Sequence, residues 1–262
     1  MAQPSHFPAG PAAADYYGQI ESGAAAIGAL VASGDLAMPI PSCPAWTLRE
    51  LAIHVGRAHR WSAQIAATRS PAFVEFRSVP DGKFPGDAAA QAGWLAAGAR
   101  RAVAAFEEAG QDPVWWAFGP PAPAAVWARR MCHETLVHAA DARLAAGQPP
   151  DLPPALAADA IDEWLTELMR PVGDEADPRA AALPPGTSLH VHATDADGEW
   201  LVSHGPGGVT AERGHAKADA AVTGPASALL LVLLRRAPAD DPDVTVHGDP
   251  AVLTRWLAAT PF

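Results

Sequence analysis

Two segments of the chain contain residues that could bind a divalent metal ion. They are Thr47–Arg57 and Arg130–His138. In the second segment Glu134 and His138 are four residues apart, so on a helix they lie within about 40° of each other. The rest of that helix face is apolar, and burying an unpaired charge there costs several kcal/mol. A divalent cation would satisfy both side chains, so the spacing predicts a metal site.

A third ligand has to come from another helix. His133 cannot join His138, because a spacing of five residues turns the two rings about 140° apart, unlike the His-Glu-x-x-His pattern of zinc proteases. The first segment and its continuation offer His54 and His59, which are also five apart and on different faces. The helical wheel slightly favours His59, which lies nearer the centre of the apolar arc. Periodicity alone leaves both histidines open.

Length, composition and charge limit the class of protein. The chain has 262 residues, 49% of them hydrophobic and 18% charged, which is typical of a globular protein with one large or two smaller domains. Its net charge of −11 disfavours nucleic acid and anionic membranes as partners. No apolar run approaches the roughly 20 residues of a membrane span, and the start lacks a signal-peptide pattern, so we expect a cytoplasmic protein. Two cysteines form no disulfide framework.

The first half of the chain predicts four long helices. Thr47 and Glu50 fit a capping box at the start of the second helix. The helices are largely apolar and would form an antiparallel four-helix bundle. Two long connections, 68–86 and 111–123, separate them, and aromatic residues in the second could line a pocket. The predicted helices cover residues 14–33, 47–67, 87–109 and 124–146.

After the Pro/Gly-rich stretch 147–150 the pattern changes to alternating strands with helices around them. This predicts an α+β fold class with two domains, a helical bundle over 1–150 and a small, mostly antiparallel α+β domain over 151–262. His190 and His192 alternate on one face of a predicted strand. This spacing could suit a metal, but we interpret the two residues as paired surface positions of the sheet. His215 lies near a strand end, with no other ligand in its sequence neighbourhood.

The two metal-site segments resemble the mycothiol-dependent maleylpyruvate isomerase family. The resemblance rests on Pro41–Arg57, PSCPAWTLRELAIHVGR, and on Arg130–Ala142, RMCHETLVHAADA, and it continues through 224–236 and 246–249. It implies an N-terminal DinB-like four-helix bundle and a small C-terminal α/β domain comparable with sterol carrier folds. It also implies zinc as the metal, with His54, Glu134 and His138 as its ligands.

Three protein ligands would leave an open position on zinc, which is the arrangement of catalytic sites. A thiol bound there loses its proton and becomes a nucleophile. By the resemblance the thiol is mycothiol, a low-molecular-weight cosubstrate, and the partner is a small electrophilic or cis-unsaturated molecule. The reaction would be a maleylpyruvate-type cis-trans isomerisation or an S-transfer. A monomer or homodimer would suffice for either.

The resemblance also implies a C-terminal arginine that faces the zinc. Arg235 and Arg236 are the candidates for this catalytic role, since a guanidinium binds carboxylates in a bidentate way. Two other classes of function compete with thiol chemistry. Two histidines and one carboxylate also serve non-haem iron oxygenases, and zinc hydroxide hydrolyses substrates. The third class is a non-catalytic protein that binds a metal or a small ligand.

Overall fold

The computed structural model describes residues 11–169 and 178–260, which fall into two compact units. The first unit spans Pro11–Asp151 and the second begins at Leu152. Among the described residues, each helix is too short or too polar to cross a membrane. The first unit is a bundle of four helices, as the sequence predicts. These helices are α1 (Ala13–Ser33), α2 (Leu48–Ala67), α3 (Ala88–Ala109) and α4 (Ala124–Ala145).

The start of α2 is fixed by local hydrogen bonds. The Glu50 carboxylate accepts a hydrogen bond from the Thr47 amide at 3.0 Å and another from the Thr47 hydroxyl. The preceding loop turns back on itself, since the Ile40 amide donates to the Trp46 carbonyl at 3.0 Å. This turn sets Trp46 beside the first turns of α2, where His54 lies.

The α2 and α3 helices approach closely at two glycines. Arg60 is 3% exposed and lies over the Trp94 ring, with its guanidinium carbon 4.0 Å from the ring centroid. Its two terminal nitrogens donate to the carbonyls of Gly56 and Trp94 at 2.9 and 2.8 Å. Gly56 leaves room for the Trp94 ring, and Gly98 leaves room for the Arg60 guanidinium. The contact therefore depends on small residues facing large ones.

Between α3 and α4 the chain forms a two-stranded ribbon. Strand β1 (Pro113–Val114) pairs antiparallel with β2 (Ala122–Pro123). The aromatic residues of the connecting loop lie close to Trp127 of α4, with Trp116 at 5.0 Å between ring centroids. The long connection is therefore a packed element at one end of the bundle.

In its described residues, the second unit is one five-stranded mixed sheet with three α-helices. The strand order is β5-β4-β3-β6-β7, and only the β3 to β6 pair is parallel among the described strands. The helix that begins at Pro154 is α-helical to Glu163 and continues as a π-helical turn, Trp164–Leu168. The elements are α5 (Pro154–Glu163), β3 (Ser188–Ala193), β4 (Glu199–Gly205), β5 (Gly208–Arg213), β6 (Ala220–Gly224), α6 (Ala226–Leu233), β7 (Thr245–Gly248) and α7 (Pro250–Ala259).

The α2 to α3 contact gives a test of the bundle. A Cβ added at Gly56 would lie 2.0 Å from the Trp94 ring, so Gly56→Ala should lower the free energy of unfolding by about 2 kcal/mol or more. Gly93→Ala is the matched control, because it lies on α3 with open space around the added methyl. Urea denaturation should show the control equal to or above the wild type in stability. Equal losses in both variants would contradict the packing described.

Candidate metal centre

Three predicted ligands meet between α2 and α4. His54 projects from α2, and Glu134 and His138 project from successive turns of α4. His54 Nε2 lies 2.6 Å from Glu134 Oε1, and His138 Nε2 lies 3.4 Å from the same oxygen. One ligand atom from each residue lies within 4.8 Å of the other two. Two imidazole nitrogens and one carboxylate oxygen around one point are a donor set that suits zinc.

The Glu134 carboxylate is largely buried and held by charged neighbours. Its second oxygen, Oε2, accepts a hydrogen bond from the Arg130 guanidinium, one turn earlier on α4. Burial by itself raises the pKa of Glu134, but Arg130 and the hydrogen bonds to His138 and His54 outweigh it and hold the pKa well below its usual range. The carboxylate is therefore ionised at neutral pH, as a metal ligand has to be.

Asp141 orients His138. The His138 Nδ1 lies 2.9 Å from Asp141 Oδ2, and the Ser42 hydroxyl donates to the other Asp141 oxygen at 2.7 Å. With Nδ1–H donating to a carboxylate, Nε2 is directed at Glu134. Burial lowers the pKa of His138, but the Asp141 and Glu134 carboxylates outweigh burial and raise it to about 9. A metal ion at this position would replace the Nε2 proton.

An aromatic cavity opens on the side of His54 and Glu134. The Trp46 ring lies 4.7 Å from the His54 ring and 5.6 Å from the His138 ring, centroid to centroid. The cavity has a volume of about 630 Å³, and Phe118 of the predicted pocket loop lines it. The other aromatic residues that line it are Trp46, Trp61, Phe76 and Trp127.

His59, which the helical wheel slightly favoured as a ligand, faces elsewhere. It is fully buried, and its Nε2 lies 2.7 Å from Thr135 Oγ1. The Thr135 hydroxyl donates its only hydrogen to the Met131 carbonyl at 2.6 Å, so His59 Nε2 is the donor to Thr135. Its Nδ1 has no hydrogen-bond partner in the described part of the chain. Burial lowers the pKa of His59 to about 4, so the ring is neutral at pH 7.

Two neighbours of Asp141, Ser42 and Cys43, were not predicted from the sequence. Cys43 Sγ lies 4.0 Å from Asp141 Oδ2, although no base is near it in the sequence. Ser42 shares the same tight turn, which contributes both side chains to Asp141. Local signals existed for Arg130, which is four residues before Glu134, and for Asp141, which is three residues after His138, because both spacings place the side chains on one helix face.

The predicted arginines belong to the second unit. Arg235 follows α6, is exposed and has a positive φ of 59°. Arg236 donates from Nη1 to the Leu234 carbonyl at 2.8 Å. Their role in catalysis stays a prediction.

The fold and the site define a two-domain protein whose helical bundle carries a candidate two-histidine, one-carboxylate metal centre. The family model of the mycothiol maleylpyruvate isomerase N-terminal domain matches residues 18–143. That of the MDMPI C-terminal domain matches residues 155–255. The chain therefore belongs to the mycothiol maleylpyruvate isomerase family, as its motifs predict.

Solved structures agree with this assignment at the level of the fold. The chain is similar to mycothiol-dependent maleylpyruvate isomerase, with a TM-score of 0.57 and 16% identity. A histidine-to-alanine mutant of mycothiol-dependent maleylpyruvate isomerase gives a TM-score of 0.58 and 14% identity. Each match covers 90% of this chain and 93% of the other. No curated protein sequence matches the chain significantly.

The positions of His54 and His59 lead to a direct test of the ligand set. We expect His54→Ala and His138→Ala each to lose about one equivalent of bound Zn²⁺ per chain, because each removes one of three ligands. His59→Gln should keep the wild-type amount. Elemental analysis after dialysis measures the metal. Loss of zinc in His59→Gln together with retention in His54→Ala would overturn the assignment.

The burial of His59 predicts a pH-dependent stability. The unfolded chain protonates this histidine below about pH 6.5, whereas the folded chain resists protonation down to about pH 4. Stability is therefore lost as pH falls between these values, by about 3 kcal/mol in total.

His59→Gln is the matched variant, since its amide can still donate to Thr135 but does not titrate. Urea unfolding of both proteins at pH 7 and pH 4.5 isolates the contribution. The wild type should lose more stability than the variant on acidification. The same loss in both proteins would contradict a buried, neutral His59.

Proposed function

We propose that this chain is a zinc-dependent enzyme that uses mycothiol to isomerise a cis-unsaturated, carbonyl-conjugated small molecule. One observation carries the proposal: His54, Glu134 and His138 converge beside an aromatic cavity, in a domain that matches the mycothiol maleylpyruvate isomerase N-terminal family. Fold and family membership support the reaction class. The reducing conditions that keep a small thiol active fit the cytoplasmic location expected from the sequence.

His54, Glu134 and His138 would hold the zinc ion, with Arg130 and Asp141 fixing Glu134 and His138. Zinc with three protein ligands supplies a position at which a thiol is deprotonated at neutral pH. Arg130 neutralises the second oxygen of Glu134, which keeps this carboxylate ionised inside the bundle. Asp141 accepts a hydrogen bond from His138 Nδ1–H and so leaves Nε2 free for the metal.

The reaction itself needs no net change in the thiol. The mycothiol sulfur adds to one carbon of the cis double bond, and the electron pair moves onto the conjugated carbonyl. The resulting carbon-carbon single bond rotates. The electron pair then returns, the carbon-sulfur bond breaks and the trans isomer leaves with the thiolate regenerated. The apolar walls formed by Trp46, Trp61 and Trp127 would exclude water from the charged intermediate.

A carboxylated substrate needs cationic partners. We propose Arg235 or Arg236 for this role, as the family resemblance implies. In the bundle, Arg57 also lines the cavity and anchors its Nε on the Gly82 carbonyl at 3.0 Å. Substitution of each arginine by glutamine, with KM measured for the carboxylated substrate, separates the three candidates.

A thiol-dependence assay tests the proposed function. Zinc-loaded protein should convert maleylpyruvate to its trans isomer only when mycothiol is added, and His54→Ala should lose this activity. Mycothiol should not be consumed. Consumption of one thiol per substrate would instead identify an S-transferase, and it would contradict the isomerase reaction.

Cys43→Ser and Cys132→Ser test whether a cysteine of the protein, and not mycothiol, supplies the reacting thiol. Cys43 is the more informative of the two, because its sulfur lies near Asp141. Both variants should keep the mycothiol-dependent rate. Full turnover without added thiol would overturn the proposal and favour a hydrolase or an oxygenase. Failure of the metal-loaded protein to turn over any electrophile with mycothiol would favour a binding protein.

A further inference from the structure

A second cluster of potential metal ligands lies in the α+β unit. It combines His190 on β3, Glu199 at the start of β4 and His215 just after β5. One ligand atom from each residue lies within 4.8 Å of the other two. All three belong to the same compact unit, and none takes part in the chemistry proposed for the bundle.

One carboxylate oxygen is the centre of this cluster. Glu199 Oε2 accepts a hydrogen bond from His215 Nδ1 at 2.8 Å and lies 3.5 Å from His190 Nε2. The rings of His190 and His215 are 5.3 Å apart between centroids. Two imidazole nitrogens therefore approach one carboxylate oxygen, one from β3 and one from the segment after β5.

His190 provides an independent sign of a missing partner. Only 5% of the residue is exposed, and its Nε2 has no hydrogen-bond partner within the described ranges. A buried nitrogen left without a partner costs about 1 to 3 kcal/mol. This nitrogen points toward Glu199 Oε2 at a distance too long for a usual hydrogen bond. A cation between the two atoms would satisfy both.

The strand register explains how the cluster forms. His192 lies directly opposite Glu199 in the antiparallel β3 to β4 pair, and His190 lies diagonally from Glu199 on the same face. His192 Nδ1 lies 3.0 Å from Glu199 Oε1, the second carboxylate oxygen. His192 thus holds one oxygen and directs the other toward His190 and His215, as Arg130 does for Glu134.

We propose that His190, Glu199 and His215 form a second metal site, which binds Zn²⁺. Two imidazoles and one carboxylate are ligands that zinc prefers, and His192 positions the carboxylate. Glu199 and His215 border a surface cavity of about 570 Å³, and the His215 side chain is 78% exposed, so an ion enters directly from solvent. The bound ion would link β3 and β4 to the segment that follows β5.

The experiment removes the bundle site and counts the remaining metal. Full-length His138→Ala protein is stripped with a chelator and titrated with Zn²⁺ by calorimetry. We expect about one equivalent to bind. Adding His215→Ala should weaken this binding at least about tenfold. Loss of a residue that only hydrogen-bonds a metal ligand already lowers affinity about tenfold, and His215 is proposed as a ligand itself. His247→Ala is the matched control, an exposed histidine on β7 of the same sheet, and it should change nothing.

A second measurement covers the case in which His138→Ala fails to fold. The wild-type chain should bind two equivalents of Zn²⁺ and the His215→Ala chain one. Equal stoichiometry in these two proteins, or a folded His138→Ala chain that binds no zinc, would overturn the second site. The bundle site is judged separately by the loss of zinc in His54→Ala, so the two proposals can fail independently.

Discussion

The buried carboxylate of Glu134 is the constraint on which the bundle depends. An ionised group on an apolar helix face is stable only with charged or hydrogen-bonding partners. Arg130 comes from the same helix, whereas His54 has to come from α2, which fixes the rotation of α2 relative to α4. The glycines at the α2 to α3 contact then let the third helix pack against this fixed pair.

The orientation of His138 and the position of Trp46 depend on residues around the Glu134 carboxylate. Asp141 sets the orientation of His138, and the turn that holds Ser42 sets Asp141. The same turn leads into Trp46, whose ring packs against both ligand histidines. A short proline-rich loop thus controls the ligand geometry on one side of the site and the aromatic wall on the other.

In the second unit the proposed ligands are brought together by strand register and not by spacing along one helix. In the bundle, two ligands share a helix face, so their spacing is visible in the sequence. In the sheet, the ligands come from β3, β4 and the segment after β5. His190 and His192 were interpreted as surface positions, and His215 as isolated. The interpretation was wrong for His190, which is buried, and for His215, which pairs with Glu199, because cross-strand register and a returning loop bring both histidines to that carboxylate. His192 is partly exposed, as expected.

The sequence by itself determined what depends on neighbours along the chain. The Glu134 and His138 pair, the start of α2 and the change from helices to strands after residue 150 all follow from local spacing and composition. Periodicity left the choice between His54 and His59 open, and the family resemblance implied His54. The meeting of His54 with Glu134 and the contacts of Ser42 and Cys43 with Asp141 depended on tertiary structure. They are set by helix rotation and loop closure, which bring together residues about 80 to 100 positions apart. No periodicity within one segment encodes such distances.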